Sequence, residues 1–247
     1  MNRGTIKRKD VKLLWGLSGD RCANCRTELI LQEKGGENFP LGIMAHIEGE
    51  NPGSARYNPE MNDLDRIKYE NLILLCPNCH TTVDNDTEQY TMDQLKSMKK
   101  KHEEWVRQTL RSQTAQTTFA ELEVTITHLQ QIPALGDDLS ITIVPPKEKI
   151  RRNELSAEVE NLIISGMLQV KLVKDYLSRN PDLSFARRLQ AGFVRKYEDL
   201  KKEGLEGDAL FYALLGFASN NSPDFGRMSA GLSVLTYFFE LCEVFEK

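Results

Sequence analysis

Four cysteines stand in two Cys-x-x-Cys pairs, Cys22/Cys25 and Cys76/Cys79, with His46 between the pairs and His80 directly after the second. Each pair can present two thiolates on one tight turn, and two such turns supply the four soft ligands that tetrahedral zinc takes. Four thiolates complete that coordination, so the zinc is structural and both histidines stay free for other work. The other ligand set, three cysteines plus His80, leaves one thiol over. It also asks the adjacent Cys79 and His80, which diverge on a strand or at a helix start, to share one ion. Residues 26–75 separate the pairs. An insertion of that length between knuckle halves implies that the intervening segment carries the function.

The elements that must hold these residues can be read from periodicity. Val11, Leu13, Leu14, Trp15 and Leu17 predict a short helix over 8–18 that runs into Gly19 and the first knuckle. Leu29–Leu31 and Leu41–Met44, on either side of Gly35-Gly36, read as strand and turn leading to His46. Residues 51–69, rich in Asn, Pro, Gly and Asp, read as a loop with a short helix near Leu64, and 72–75 read as a second strand ending at Cys76. Met92, Leu95, Met98, His102, Trp105, Val106 and Leu110 follow a helical spacing with Thr91 as its cap, and close the first domain. His102 lies on that apolar stripe and is expected to pack there. The uncharged run Ser112–Thr118 reads as a linker. Leu122–Ile126 and Leu139–Val144 read as a β-hairpin that contains His128 and ends at Pro145-Pro146. Apolar stripes over roughly 155–178, 183–203, 208–218 and 228–245 then predict a four-helix bundle.

Composition bounds the possibilities. A chain of 247 residues with 40% hydrophobic content can bury two cores. No apolar run reaches the roughly 18 residues of a membrane span, and no signal region follows the N-terminus, so the protein is expected to be cytoplasmic and off the membrane. Five cysteines, four of them in knuckle pairs, fit a reducing compartment better than a disulfide framework, and Cys242 reads as a buried thiol. A net charge of −4 argues against indiscriminate coating of nucleic acid, but leaves local sites open. Lys7-Arg8-Lys9, Lys99-Lys100-Lys101 and Lys149/Arg151/Arg152 read either as backbone contacts to DNA or as solvated faces.

The string from Cys22 to His80 resembles the HNH endonucleases, whose ββα-metal core sets a first His at a strand end, a middle Asn and a helical third His. The matching residues are His46 in Ile43-Met-Ala-His46-Ile, Asn71 in Tyr69-Glu-Asn71-Leu and His80 in Cys76-Pro-Asn-Cys-His80; Asp84 and the segment Tyr90 to Glu103 resemble the tail of zinc-knuckle members. The resemblance covers about residues 8–110. It implies a metal-dependent DNA endonuclease in which His46 is the general base, His80 binds a catalytic Mg2+ or Mn2+ distinct from the knuckle zinc, and Asn71 holds the loop that orients His46. Many members carry Asp or His just before the base, where this chain has Ala45. Glu48, Glu50 and Asp84 are the carboxylates at hand to complete that metal's shell, and each also reads as a solvated loop charge. Arg56 is a candidate clamp for a phosphate oxygen, since guanidinium is a planar multidentate donor.

The second half holds no catalytic cluster. Residues 145–247, through Lys149–Leu155, Tyr197–Gly204, Gly207–Phe211 and the apolar ending Leu232–Phe245, resemble the C-terminal region of effector subunits of bacterial ABC-three-component defence systems, the group that includes Lamassu. That resemblance implies a nuclease effector held by a chromosome-maintenance-like ATPase and an adaptor subunit. Phe238, Phe239, Leu241 and Phe245 are anchors for such a partner or for self-association, or else core residues. The expected architecture is α+β: an HNH domain with its zinc knuckle over 1–112, linker and β-hairpin over 113–148, and a helical regulatory or assembly domain over 149–247. The alternative is a non-catalytic zinc-knuckle protein that binds DNA or acts as a scaffold.

Overall fold

The computed structural model describes residues 5–32, 38–130, 146–182, 184–241 and 245. The chain divides into two compact units, Met1–Arg107 and Gln108–Lys247.

In the first unit, helix α1 (Arg8–Ser18) ends at Gly19, whose left-handed φ of 58° lets its N–H cap the last carbonyls. A Cβ there would meet Val106 at 2.9 Å, so glycine also permits a close approach of another helix. Strands β1 (Ile30–Gln32) and β2 (Asn38–Pro40) pair antiparallel. Strand β3 (Ile43–His46) is followed by the short helix α2 (Asp63–Arg66), a single 3-10 turn at Tyr69–Asn71 and strand β4 (Leu72–Leu75). β3 and β4 pair antiparallel with His46 opposite Leu72. Leu72 to Leu75 are buried on both faces, which accounts for the unbroken apolar run. Helix α3 (Pro77–Asn85) starts immediately after β4, with Cys76 as N-cap and proline at its first position. Helix α4 (Met92–Thr114) starts where Thr91 caps the N–H of Gln94. His102 is buried on α4 as expected, with Nε2 3.0 Å from the Ser18 carbonyl.

The second unit contains α5 (Phe119–Gln130), α6 (Pro146–Arg152), α7 (Ala157–Met167), α8 (Val170–Ser178), α9 (Phe185–Lys202), α10 (Gly207–Ala218) and α11 (Phe225–Leu241). α11 packs on α5, α7, α8, α9 and α10 and is buried nearly all round, from Met228 to Phe239. Gly231 lets α10 close in, since a Cβ would lie 2.9 Å from the Ser219 nitrogen. Among the described residues no helix is long and apolar enough to cross a membrane.

The second unit corrects several expectations. Leu122–Ile126 is helical, not a hairpin strand. Leu122, Thr125, Ile126 and Leu129 are buried while Val124 is 49% exposed, a helical stripe that overrides the β-branched preference of the run. His128 therefore sits on a helix, and the other strand expected, Leu139–Val144, lies outside the described residues, as does Cys242. The linker residues are helix as far as Thr114, and Thr114 and Thr117 are buried. The stripe over 155–178 is two helices, broken at Leu168-Gln169. Lys149 is fully buried, its Nζ donating to the Phe239 carbonyl at 2.7 Å, so it is no solvated charge. Phe238, Phe239 and Phe245 are 1–2% exposed and serve the core, because the helix that carries the first two is enclosed by its neighbours. Nothing is described of the Leu241 side chain.

Candidate metal centre and histidine site

The first cysteine pair forms a turn closed by bonds from Cys22 N–H to Thr27 O (2.9 Å) and from Arg26 N–H to Cys22 O (2.8 Å), with Arg26 left-handed at φ 62°. The Ala23 N–H donates to Leu74 O at 2.9 Å, which lays this turn beside β4 and hence beside Cys76. The Arg26 guanidinium stacks 4.2 Å over Trp105 of α4 and braces the turn from outside. The ligand atoms of Cys22, Cys25, Cys76 and Cys79 all lie within 4.8 Å of one another. A tetrahedral zinc with bonds of about 2.3 Å sets its sulfurs about 3.8 Å apart, and Cys25 Sγ and Cys76 Sγ are 3.8 Å apart. The four thiols therefore fit zinc in number, softness and spacing. Donors reach two of the sulfurs: Cys76 caps the positive end of α3 and accepts the Cys79 N–H at 3.4 Å, and the Asn24 amide donates to Cys79 Sγ at 3.4 Å, while burial pushes the Cys22 and Cys79 thiols up.

β3 carries His46 at its end. The His46 Nε2 is buried without a hydrogen-bond partner among the described residues, and burial pushes the imidazole's pKa below the ordinary histidine value. Glu50, Arg66, Asp84 and His80 are the charges it feels. The loop after His46 is held by Asn71, whose Oδ1 accepts the Glu48 N–H at 2.9 Å while Nδ2 donates to the carbonyls of Glu48 and Arg66, each at 3.0 Å. On α3, one turn apart, His80 Nε2 and Asp84 Oδ2 lie 3.3 Å from each other.

The remaining candidates are committed elsewhere. Glu48 is buried, accepting from Asn58 Nδ2 at 2.9 Å, with Lys96 3.5 Å away, and is not a solvated loop charge. Arg56 spends its guanidinium on the carbonyls of Ile47, Val83 and Tyr90 and on Asp84. Among the described residues the four cysteines are the group of three or more such ligands that the structure gathers; His46, His80, Glu48, Glu50 and Asp84 are not brought together in that way. Lys99 is buried too, donating to the Tyr69 carbonyl with its ammonium 3.4 Å over the Tyr69 ring. Burial takes it down to about 8, and it is no part of a basic surface.

Sequence reasoning missed Arg66, which is 3% exposed and donates to the carbonyls of Gly49, Asn58 and Met61, stitching the loop after β3. Its local string, Asp63-Leu-Asp-Arg66, looks like a solvated helix end, and nothing in it signals burial.

A family model matches residues 120–246, just over half of the chain: C-terminal domain 10 of the ABC-three component systems. The chain belongs to this family. Membership in a three-component system implies protein partners for the ABC-three-component chain. No curated protein matches it.

Proposed function

We propose that the protein is a metal-dependent DNA endonuclease of the HNH type and the nuclease effector of an ABC-three-component anti-phage defence complex. The observation that carries the reading is a buried imidazole nitrogen at the end of β3 with no partner among the described residues, in a strand–strand–helix unit that ends in the four-cysteine cluster. A buried polar nitrogen without a partner costs on the order of 1–3 kcal/mol, a cost that function explains better than packing does. His46, kept neutral by burial, accepts a proton from water at Nε2. Asn71 fixes the backbone that follows His46, and so fixes where that nitrogen points. His80 and Asp84 offer adjacent nitrogen and oxygen donors, enough for Mg2+ or Mn2+ that keeps most of its waters. Such an ion, when bound, neutralises charge that develops on the phosphate. The family match favours a protein assembly around the second unit, with an ATPase and an adaptor as partners.

The test is nicking of supercoiled plasmid by zinc-loaded protein with Mg2+ or Mn2+. Wild type is expected to nick, and His46→Ala to lose about 10²-fold to 10⁴-fold of the rate with its zinc content unchanged. Cleavage at the wild-type rate by folded His46→Ala protein removes His46 from the mechanism. A folded wild type that is silent with and without its co-purifying partners favours a non-catalytic zinc-knuckle protein.

A further inference from the structure

Arg56 lies in the loop between β3 and α2, yet its side chain is only 6% exposed. Its Nε donates to Ile47 O at 2.8 Å, on the residue directly after His46. One terminal nitrogen donates to Val83 O at 2.8 Å, on α3, and to Tyr90 O at 3.3 Å, beyond the helix end. The other donates to Asp84 Oδ1 at 2.6 Å, and the second oxygen of that carboxylate is the one 3.3 Å from His80 Nε2. One planar group therefore joins the strand end that carries His46 to the helix that carries His80, and turns Asp84 toward His80. Arg56 itself is left-handed at φ 55°, a conformation that costs a residue with a Cβ on the order of 1–2 kcal/mol. The four bonds offset that strain, and their geometry needs a rigid fork that a lysine ammonium does not supply.

We infer that Arg56 is a positioning residue: it sets the separation of His46 and His80 and the orientation of Asp84, and it does not bind the substrate phosphate. The inference rests on the nuclease reading above. It makes a distinctive prediction, because a phosphate contact contributes to binding whereas alignment contributes only to the rate. A misplacement of about 1 Å can lower a rate about 10²-fold, while losing one phosphate contact weakens DNA binding and flattens its salt dependence by about one ion.

The experiment uses the full chain with Arg56→Lys and Arg56→Gln. Plasmid nicking gives kcat and KM, and DNA affinity is titrated against salt on a His46→Ala background so that no strand is cut. Expected for both variants is a fall in kcat of about 10²-fold, with KM and the salt slope unchanged and lysine no better than glutamine. Rescue by lysine, or a raised KM with a shallower salt slope, makes Arg56 a phosphate ligand and overturns the inference. Loss of zinc or of the folded tryptophan signal in both variants makes the residue a stability element and overturns it equally. Full activity of both variants beside an active wild type sinks the inference alone, whereas a silent wild type sinks the nuclease reading beneath it.

Discussion

Asn71→Ala should cost the first unit much of its stability. The amide makes three bonds in a place with 4% exposure: it accepts the Glu48 N–H and donates to the Glu48 and Arg66 carbonyls. Alanine leaves one buried donor and two buried acceptors unmet, at about 1–3 kcal/mol each. The carbonyls retain second lone pairs and water can enter part of the gap, so the lower half applies and the loss comes to about 4 kcal/mol. Against an m-value of about 2 kcal/mol/M that moves the urea midpoint down by about 2 M. Both tryptophans, Trp15 and Trp105, belong to residues 1–107, so tryptophan fluorescence reads this unit selectively. Asn71→Asp adds a sign test. It turns an oxygen toward two carbonyls, so the buried carboxyl favours its protonated form and its folded pKa rises above the unfolded value of about 3.9. The stability that protonation contributes is present at low pH and lost as pH rises through the folded pKa. Relative to wild type, this variant should gain stability between pH 7 and pH 5. An Asn71→Ala loss below about 1 kcal/mol, or an Asn71→Asp profile parallel to wild type, refutes the reasoning.

His46→Leu should be as stable as wild type or more so by about 1 kcal/mol, since it removes a buried nitrogen with no partner. The folded pKa of His46 lies below the ordinary value, so the unfolded chain takes up the proton first and wild-type stability drops as pH falls below about 6.5. The leucine variant should lose less than wild type between pH 7 and pH 5 in urea titrations, and an unchanged slope counts against the burial argument. Elemental analysis should find about one zinc per chain on four-ligand arithmetic. Chelation or Cys76→Ser should then unfold the first unit by tryptophan fluorescence, and a native signal from zinc-free protein contradicts this. Ile126→Lys should destabilise the second unit by several kcal/mol while Val124→Lys stays within about 0.5 kcal/mol. Equal effects in thermal unfolding would mean that the assigned helical face is wrong.

The gathering of the four cysteines was legible because its chemistry is local: a Cys-x-x-Cys turn needs only its own four residues, and nothing but the partner turn remains to be found. The helix ending at Gly19, the strand before Cys76 and the Thr91 cap were legible for the same reason, since periodicity and capping act over a few residues. What failed was whatever depends on distant backbone. Lys99 and Lys149 read as DNA contacts or solvated faces, Arg56 read as a phosphate clamp, and Arg66 drew no reading at all, because their neighbours in sequence are mostly polar. Each is buried on carbonyls contributed from elsewhere in the chain. Leu122–Ile126 failed differently: over five residues alternation and a helical stripe share Leu122 and Ile126, and only the packing of Thr125 and Leu129 separates them. The separate site candidates His46, Asn71, His80 and Asp84 were visible one by one, whereas the network joining them through Arg56 was not.

The 22/25 turn and the 76/79 turn enclose everything between them, His46 and Asn71 included. Closing a flexible loop of about 50 residues costs on the order of 3–4 kcal/mol of chain entropy by (3/2)RT ln n, while a structural zinc supplies about 10–16 kcal/mol of binding free energy. A zinc held by the four cysteines would therefore tie off the segment that carries His46 and Asn71, with His80 directly after it, and could do so only after residue 79 has been synthesised. On the zinc reading, His46 and His80 come into register late: the two cysteine turns must both have emerged and met before the strand end and the helix start that carry them are held together.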